Sequence, residues 1–274
     1  MRNLWRITGA AALAAAIVLA GRAYLSERSD WAHQQEHDAL ASEMLARLEV
    51  DHQARLPDTR AVIERLAAHA ETENPSRESL LAQALLYQGG GDPEQARAVY
   101  EQLLEKAPEW SRAYYGYGVV LHKLDELDDA EAMFRRAIEL APRWSRAHNG
   151  LAILLRMQDR LEEARRHAET AVDLAPDSVA SRNNYGNLLV RLEQYEAAEA
   201  EYRIAIDLQP DHPAPYYNFA CVSSLQGKKD QALVYLEEAI TREDAFREQA
   251  KVDGDFGPIR DSERFQALVY ENAG

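Results

Sequence analysis

A histidine–glutamate string near the N-terminus has the spacing of a catalytic metal site. His33-Gln34-Gln35-Glu36-His37 follows the H-x-x-E-H order of inverted zincin sites. Histidines four residues apart share one face of a helix and could bind zinc, with the glutamate as general base. No third ligand can be singled out among the 46 acidic residues of the chain. We therefore interpret the string as a solvated helix face; adventitious metal binding and a zinc-dependent hydrolase are the alternatives.

Two further features give weaker chemical signals. Cys221 is the single cysteine, which excludes an internal disulfide and any multi-cysteine metal site. We expect it to be an inert packing thiol rather than a nucleophile. Gly116-Tyr117-Gly118 begins like a dinucleotide-binding loop, but the third glycine is missing and the string falls inside a predicted helix. The sequence therefore predicts no catalytic residue, no cofactor and no metal ion.

The composition describes an acidic, helix-forming chain. Among its 274 residues, 31 lysines and arginines face 46 acidic residues, which gives a net charge of −15. This sign argues against non-specific binding of nucleic acid or anionic lipid, because both require a basic surface. Apolar residues make up 46%, enough for a sizeable core, and the abundant Ala, Glu, Leu and Arg favour helices.

Prolines mark a repeat in the middle of the chain. Four of them are 34 residues apart: Pro108, Pro142, Pro176 and Pro210. Three other columns keep the same period, two of small residues and one of mostly large apolar residues: Gly118, Ala152, Gly186 and Ala220; Ala96, Ala130, Ala164, Ala198 and Ala232; Tyr100, Phe134, Ala168, Tyr202 and Leu236. A fixed period of this length indicates a solenoid. Each unit is predicted to be two antiparallel helices that approach closely at the small residues, with proline ending the second helix.

This pattern resembles the tetratricopeptide repeat (TPR) family, whose 34-residue units read W-x2-L-G-x2-Y, then A-x3-F, then A and P. The second and fourth units match it at Tyr114, Tyr117, Gly118, Leu121, Ala130, Phe134, Ala137 and Pro142, and at Tyr185, Gly186, Leu189, Ala198, Tyr202, Ala205 and Pro210. The resemblance covers five units: 77–110, 111–144, 145–178, 179–212 and 213–246. It implies an all-α fold, a right-handed superhelix of helix-turn-helix repeats. The third unit has Ala168 where a large residue is usual, so we expect a thinner core there.

The segments that flank the array have no repeat register. Residues 29–76 read as two helices that form a stalk and an N-terminal cap, since a terminal repeat needs a covering element. Residues 247–274 are predicted to be a C-terminal capping tail, a turn-rich segment at 252–260 followed by a helix at 262–270. The tail resembles those that close many bacterial TPR arrays. Its expected buried residues are Phe256, Ile259, Phe265 and Leu268.

The N-terminal segment 1–28 differs from the rest of the chain. It contains four arginines and one glutamate, and no charge lies between Ile7 and Gly21. An uncleaved transmembrane helix is our preferred interpretation, with Trp5 and Tyr24 as interfacial aromatic residues. A cleaved signal peptide and a buried soluble helix are the alternatives. The anchor places the protein in the cell membrane, single-pass, with the repeats outside the cytoplasm and in the periplasm of a Gram-negative cell. Cleavage would release the repeats into the periplasm.

The resemblance also assigns the residues that contact a partner, because the first helices of TPR units line a concave groove. Partner-binding residues are expected at Arg112, Tyr115, Arg146, Asn149, Asn183, Asn184, Asn187, Tyr217 and Asn218. Val119, Lys123, Ile153, Arg156, Arg191 and Ser224 complete the same columns. The columns contain no acidic residue, and their amides, rings and arginines suit an extended peptide. A merely solvated polar groove is the alternative.

Two comparisons with known TPR grooves limit this assignment. Asn184 and Asn218 lie where some TPR proteins have a ladder of asparagines, but Gly116 and Gly150 hold the equivalent places in the second and third units. The carboxylate clamp of chaperone-binding TPR proteins is not matched, so binding of chaperone C-termini is not implied.

The function implied by the resemblance is a non-enzymatic interaction scaffold. We expect a membrane-tethered solenoid that binds a protein or peptide partner, and neither a nucleic acid nor a small-molecule substrate. Similar anchored TPR proteins serve envelope assembly, such as cytochrome maturation and pilus or outer-membrane biogenesis. The alternatives are the zinc-dependent hydrolase and a structural protein that self-assembles end to end.

Overall fold

The computed structural model describes residues 75–270 and divides the chain into two compact units, Met1–Pro108 and Glu109–Gly274. Within 75–270 the chain forms twelve α-helices and one 3-10 helix, with no strand. None of these helices is long and apolar enough to cross a membrane. The expected membrane segment 1–28, the zinc string at 33–37 and nearly all of the expected stalk lie outside the described residues, as do residues 271–274.

The described part of the first unit is one helix pair, α1 (Arg77–Gly90) and α2 (Pro93–Lys106). Ser76 and Asp92 cap the two helices, each accepting a hydrogen bond from the backbone amide three residues further on. Pro93 opens α2, a position where its missing N–H would have no partner inside the helix. The capping and proline signals in the sequence therefore define where both helices begin.

The second compact unit, Glu109–Gly274, is called the second unit from here on, and its described part is a run of four helix pairs followed by a C-terminal cap. The pairs are α3 (Ser111–Lys123) with α4 (Leu127–Leu140), α5 (Ser145–Met157) with α6 (Leu161–Leu174), α7 (Val179–Arg191) with α8 (Tyr195–Leu208), and α9 (Pro213–Leu225) with α10 (Lys229–Arg242). Every first helix has 13 residues and every second helix 14. The helices α4, α6 and α8 end two residues before a repeat proline, because proline cannot extend the hydrogen-bond ladder. The predicted helix pair in each 34-residue period is confirmed.

A left-handed backbone residue lies in the turn inside each described pair. These residues are Gly91, Asp125, Asp159, Glu193 and Gly227, with φ of 80°, 63°, 61°, 59° and 72°. They follow the 34-residue period, although three of them carry a side chain that disfavours this conformation by about 1–2 kcal/mol. The repeat therefore fixes the turn geometry even where glycine is absent.

In three of the four pairs inside the second unit, a small residue of the first helix faces a larger residue of the second helix. A Cβ atom on Gly118 would lie 2.9 Å from Phe134 Cε1, so the ring packs directly on the backbone of α3. Tyr202 packs on Gly186 in the same way and even more closely. In the pair α5–α6 both positions are alanine, Ala152 and Ala168, and a shallow crevice remains there that is too narrow for a water molecule. At the repeat 145–178, where a thinner core was expected, the structure shows this narrow crevice and no larger gap.

The C-terminal cap consists of α11 (Ala245–Val252), a 3-10 helix (Gly254–Ile259) and α12 (Glu263–Tyr270). Its apolar side chains pack on α9 and α10 in one cluster. Phe256, Ile259 and Phe265 are buried as expected, at 0–1% exposure. Leu268 is only half-buried, because the short helix turns its neighbour Val269 into the core instead.

Candidate functional site

The first helices of the second unit form a continuous surface. The helix α5 contacts both α3 and α7, and α7 contacts α9. The groove-facing residues that the sequence predicted on α3, α5, α7 and α9, together with Ile153, Arg156 and Arg191, are called the first-helix surface below. Its regular spacing follows from the repeat, since a residue in one first helix lies beside the residues about 34 positions away in the next.

Two pairs of asparagines join neighbouring first helices on this surface. Asn184 Nδ2 donates a hydrogen bond to Asn149 Oδ1 at 3.2 Å, and Asn218 Nδ2 donates one to Asn183 Oδ1 at 2.9 Å. All four side chains are half-buried. The partners are 35 residues apart in both pairs, so α5–α7 and α7–α9 present the same amide arrangement. The structure thus brings together four of the expected partner-binding residues.

The corresponding place between α3 and α5 contains a ring instead of an amide pair. Tyr115 Cε2 lies 3.1 Å from the position that a Cβ of Gly150 would occupy. The Tyr115 ring also meets Trp144 edge-on, with ring centroids 5.1 Å apart. Burial raises the pKa of its hydroxyl, and the positive charge of Arg146 opposes that rise. Gly150, which interrupts the expected asparagine ladder, therefore leaves room for the Tyr115 ring to pack against the backbone of α5.

The centre of the surface combines amides with a positive charge. Asn187 Oδ1 accepts a hydrogen bond from the buried Tyr202 hydroxyl at 2.7 Å, which fixes the orientation of that amide. Arg156 and Asn184 line the crevice above Ala168. Burial and the nearby Arg191 lower the pKa of Arg156, so its positive charge is poorly compensated. Sequence analysis placed Arg156 among the groove-facing residues but did not single it out.

Tyr217 is not part of the open surface. It is 2% exposed, and its ring packs against Phe246 and Phe256 of the cap. Its hydroxyl donates a hydrogen bond to Asp253 Oδ2 at 2.8 Å. The register alone suggested a partner-binding residue, but the cap packs against α9 and covers that place. We therefore leave Tyr217 out of the partner-binding set.

The remaining expected residues, Arg112 and Arg146, are half-buried at the beginnings of α3 and α5. Ser224, from the same columns, is fully buried. The half-buried members Arg112, Tyr115, Arg146, Asn149, Asn183, Asn184, Asn187 and Asn218 form the candidate site.

One cluster near the cap has the composition of a metal site. The ligand atoms of Cys221, Asp253 and Asp255 lie within 4.8 Å of one another. However, Asp253 already accepts hydrogen bonds from Tyr217 and from the Asp255 backbone amide, and the Cys221 thiol lies 3.8 Å from its Oδ2. Burial and the two carboxylates raise the pKa of Cys221, which keeps the thiol protonated as a donor. The cluster is better explained as the hydrogen-bond network that fixes the cap, and Cys221 as the packing thiol expected from the sequence.

An array of helix pairs with a polar, amide-rich surface defines an α-helical repeat protein of the interaction type. A family model described as tetratricopeptide repeat matches residues 81–143, 123–179, 149–213 and 184–250. These overlapping matches span more than half of the chain. The chain therefore belongs to the tetratricopeptide repeat family, whose members are generally non-enzymatic scaffolds for protein interactions.

Solved structures show the same fold at low sequence identity. PilW, described as a widely conserved type IV pilus biogenesis factor, is 20% identical, with a TM-score of 0.59 over 71% of this chain and 99% of that one. PilF of Pseudomonas aeruginosa is 15% identical, with a TM-score of 0.59 over 82% and 96%. YrrB, described as a TPR protein with an unusual peptide-binding site, is 21% identical, with a TM-score of 0.50 over 69% and 98%. No curated protein matches the chain.

Proposed function

We propose that the protein is a non-enzymatic scaffold that captures an extended segment of a partner protein on the first-helix surface. The observation that carries this proposal is the repeated amide pair, Asn149–Asn184 and Asn183–Asn218. An extended segment needs partners for its backbone N–H and C=O groups, and helices offer no strand edge to supply them. Side-chain amides can supply these partners, because each carries both a donor and an acceptor.

The asparagine pairs are suited to this task because each is held in place and only partly used. An asparagine side chain has two donor hydrogens and an acceptor oxygen with two lone pairs, and each bond within a pair uses one donor and one acceptor site. The remaining sites can bind a backbone that runs across α5, α7 and α9. Because the pairs already fix the rotamers, less side-chain entropy is lost on binding. The peptide-binding site described for YrrB, a protein of the same fold, is compatible with this use of the surface.

The proposal includes a membrane tether formed by residues 1–28, with the repeats outside the cytoplasm. The uncharged stretch between Ile7 and Gly21 and the flanking Trp5 and Tyr24 support it, and a cleaved signal peptide is the alternative. An envelope-assembly role is suggested by the likeness to PilW, a pilus biogenesis factor of the same fold. The mass of the protein recovered from membranes distinguishes tether from cleavage, since cleavage removes the N-terminal segment.

Crosslinking and co-purification from native membranes would test the capture of a partner. The combined change Arg146→Glu and Asn184→Ala should abolish capture, because it reverses a charge and removes half of an amide pair on the same surface. Arg166→Glu with Gln209→Ala is the matched control, since both of its residues are exposed and lie outside the first helices. Circular dichroism verifies that both variants are folded.

Undiminished capture by the first variant, or equal loss in both, would refute the proposed surface. Light scattering over a range of concentrations separates capture of a partner from self-assembly of the chain. Growth of the scattering mass with concentration, without any captured partner, would favour the self-assembling structural protein.

A further inference from the structure

Charge is divided between the two kinds of helix in the second unit. The first helices α3, α5, α7 and α9 contain no aspartate or glutamate. The second helices α4, α6, α8 and α10 contain three or four each. In a chain with a net charge of −15, the first helices themselves thus contribute no acidic group to the surface that is proposed to bind the partner. Such a surface repels a basic segment where its own charge is positive, and attracts an acidic one there.

Arg156 is a cation of this surface that lacks a counter-charge. Within residues 75–270, its guanidinium makes no hydrogen bond and no ion pair. Two other arginines of the first helices are compensated, since Arg182 pairs with Glu201 at 2.7 Å and Arg191 pairs with Asp159 at 2.9 Å. Arg156 is half-buried beside the crevice, where it is shielded from part of the solvent that would otherwise surround its charge.

The surroundings of Arg156 suit a carboxylate on an extended chain. A guanidinium binds a carboxylate through two parallel hydrogen bonds, and partial burial strengthens them. Asn184 lies beside Arg156 at the crevice, and Ile153 provides an apolar wall there. A segment whose backbone is bound by the amides can therefore place an acidic side chain on the guanidinium and its aliphatic stem on Ile153.

We infer that the partner segment is acidic, and that a side-chain carboxylate of an aspartate or glutamate in it pairs with Arg156 on the first-helix surface. This inference rests on the proposed function and specifies the chemistry of the partner. The pair supplies the counter-charge that Arg156 lacks in the free protein. Its specificity comes from the two-pronged geometry, which a lysine at the same place cannot reproduce.

The inference can be tested by selecting peptides that bind the full-length protein in detergent. The library consists of random peptides that are displayed on phage and have blocked C-termini. Selected peptides should be enriched in Asp or Glu at one position. Arg156→Gln should weaken their binding about 10- to 100-fold, the range for loss of a charge-assisted hydrogen-bonded pair. Arg156→Lys should restore only part of it. Arg166→Gln, the same loss of charge on α6, should leave binding unchanged.

The outcomes separate the two proposals. Selected peptides that bind the surface without acidic enrichment, or that bind the Arg156→Gln variant equally well, would overturn the acidic pairing while leaving peptide capture intact. Peptides whose binding does not change with Asn184→Ala would overturn the proposed function itself. Arg156-dependent sedimentation with vesicles of phosphatidylglycerol, together with no selected peptide, would assign the guanidinium to lipid headgroups and refute both.

Discussion

Gly186 and Tyr202 meet where α7 packs on α8, and adding one methyl group at Gly186 tests how strictly this contact positions the site. A Cβ at Gly186 would lie 2.9 Å from Tyr202 Cδ1 and Cζ and closer still to Cε1, whereas carbon atoms in contact are about 3.5–4.0 Å apart. The ring cannot withdraw easily, because it is 1% exposed and its hydroxyl is bonded to Asn187.

Two opposing effects decide the sign of the Gly186→Ala change. Alanine favours the helix by about 1 kcal/mol over glycine. Overpacking of a filled core costs about 1–3 kcal/mol, and the short contacts place this site near the upper end. We therefore expect the free energy of unfolding to fall by about 2 kcal/mol. Displacement of the ring should also move Asn187 and weaken partner capture.

Urea denaturation of a small series would measure the effect against internal controls. Gly118→Ala should be less destabilising, because its nearest contacts with Phe134 are 2.9–3.2 Å. Gly89→Ala, with no atom within 4 Å of the new Cβ, should be neutral or stabilising by up to about 1 kcal/mol.

A compensating change would identify the ring as the cause. Gly186→Ala with Tyr202→Leu recreates the buried Ala220 and Leu236 of the last pair. It should show a favourable coupling of about 1–2 kcal/mol in a double-mutant cycle. Strict additivity, or a stabilising Gly186→Ala, would refute the packing argument.

Two further changes test the histidine contact and the cap. His167 packs on His148, with their Nδ1 atoms 3.0 Å apart. Burial lowers the pKa of His167, and the nearby His148, Arg135 and Arg166 lower it further, whereas Glu163 raises it. Because the folded state then binds fewer protons than the unfolded state, unfolding free energy should fall as pH drops below about 6.5, as followed by urea denaturation. His167→Gln should make the unfolding free energy depend less on pH in this range. The remaining dependence would come from His212, whose pKa is also lowered by burial. An unchanged pH dependence would contradict the assignment to His167. Tyr217→Phe should cost about 1 kcal/mol by removing a donor from Asp253 and should leave partner capture intact. Loss of capture at unchanged stability would instead return Tyr217 to the binding surface.

The helix pairs were predictable because the repeat states the same constraint several times. Proline ends a helix by local chemistry, and a glycine opposite an aromatic residue, as Gly118 is opposite Phe134, signals close approach of two helices. The family resemblance then supplied the column assignments. Asn149 and Asn184 were both expected at the surface, and their 35-residue spacing could have indicated the bond between them.

The sequence could not show which members of a column are open. Tyr217 has the same register as Asn149 and Asn183, but the cap that follows α9 lies over it. The uncompensated charge of Arg156 is likewise invisible in the register. Asp159 lies in the turn after α5, where its backbone is left-handed, and its carboxylate pairs with Arg191. It is therefore not the counter-charge of Arg156.

The two kinds of helix differ in how their charges are paired. Ion pairs join the neighbouring second helices α4 and α6, where Arg160, the residue before α6, binds Glu131 of α4 and Glu163 of α6 at 2.5 Å. Arg135 also binds Glu163, and the two arginines lower the pKa of this carboxyl to about 2. Such exposed pairs contribute little to stability individually, but they keep acidic groups occupied away from the first helices. The first helices are then free to carry amides and an arginine without a counter-charge. That arrangement adds nothing to folding, and the proposed partner carboxylate would give it a physical rationale.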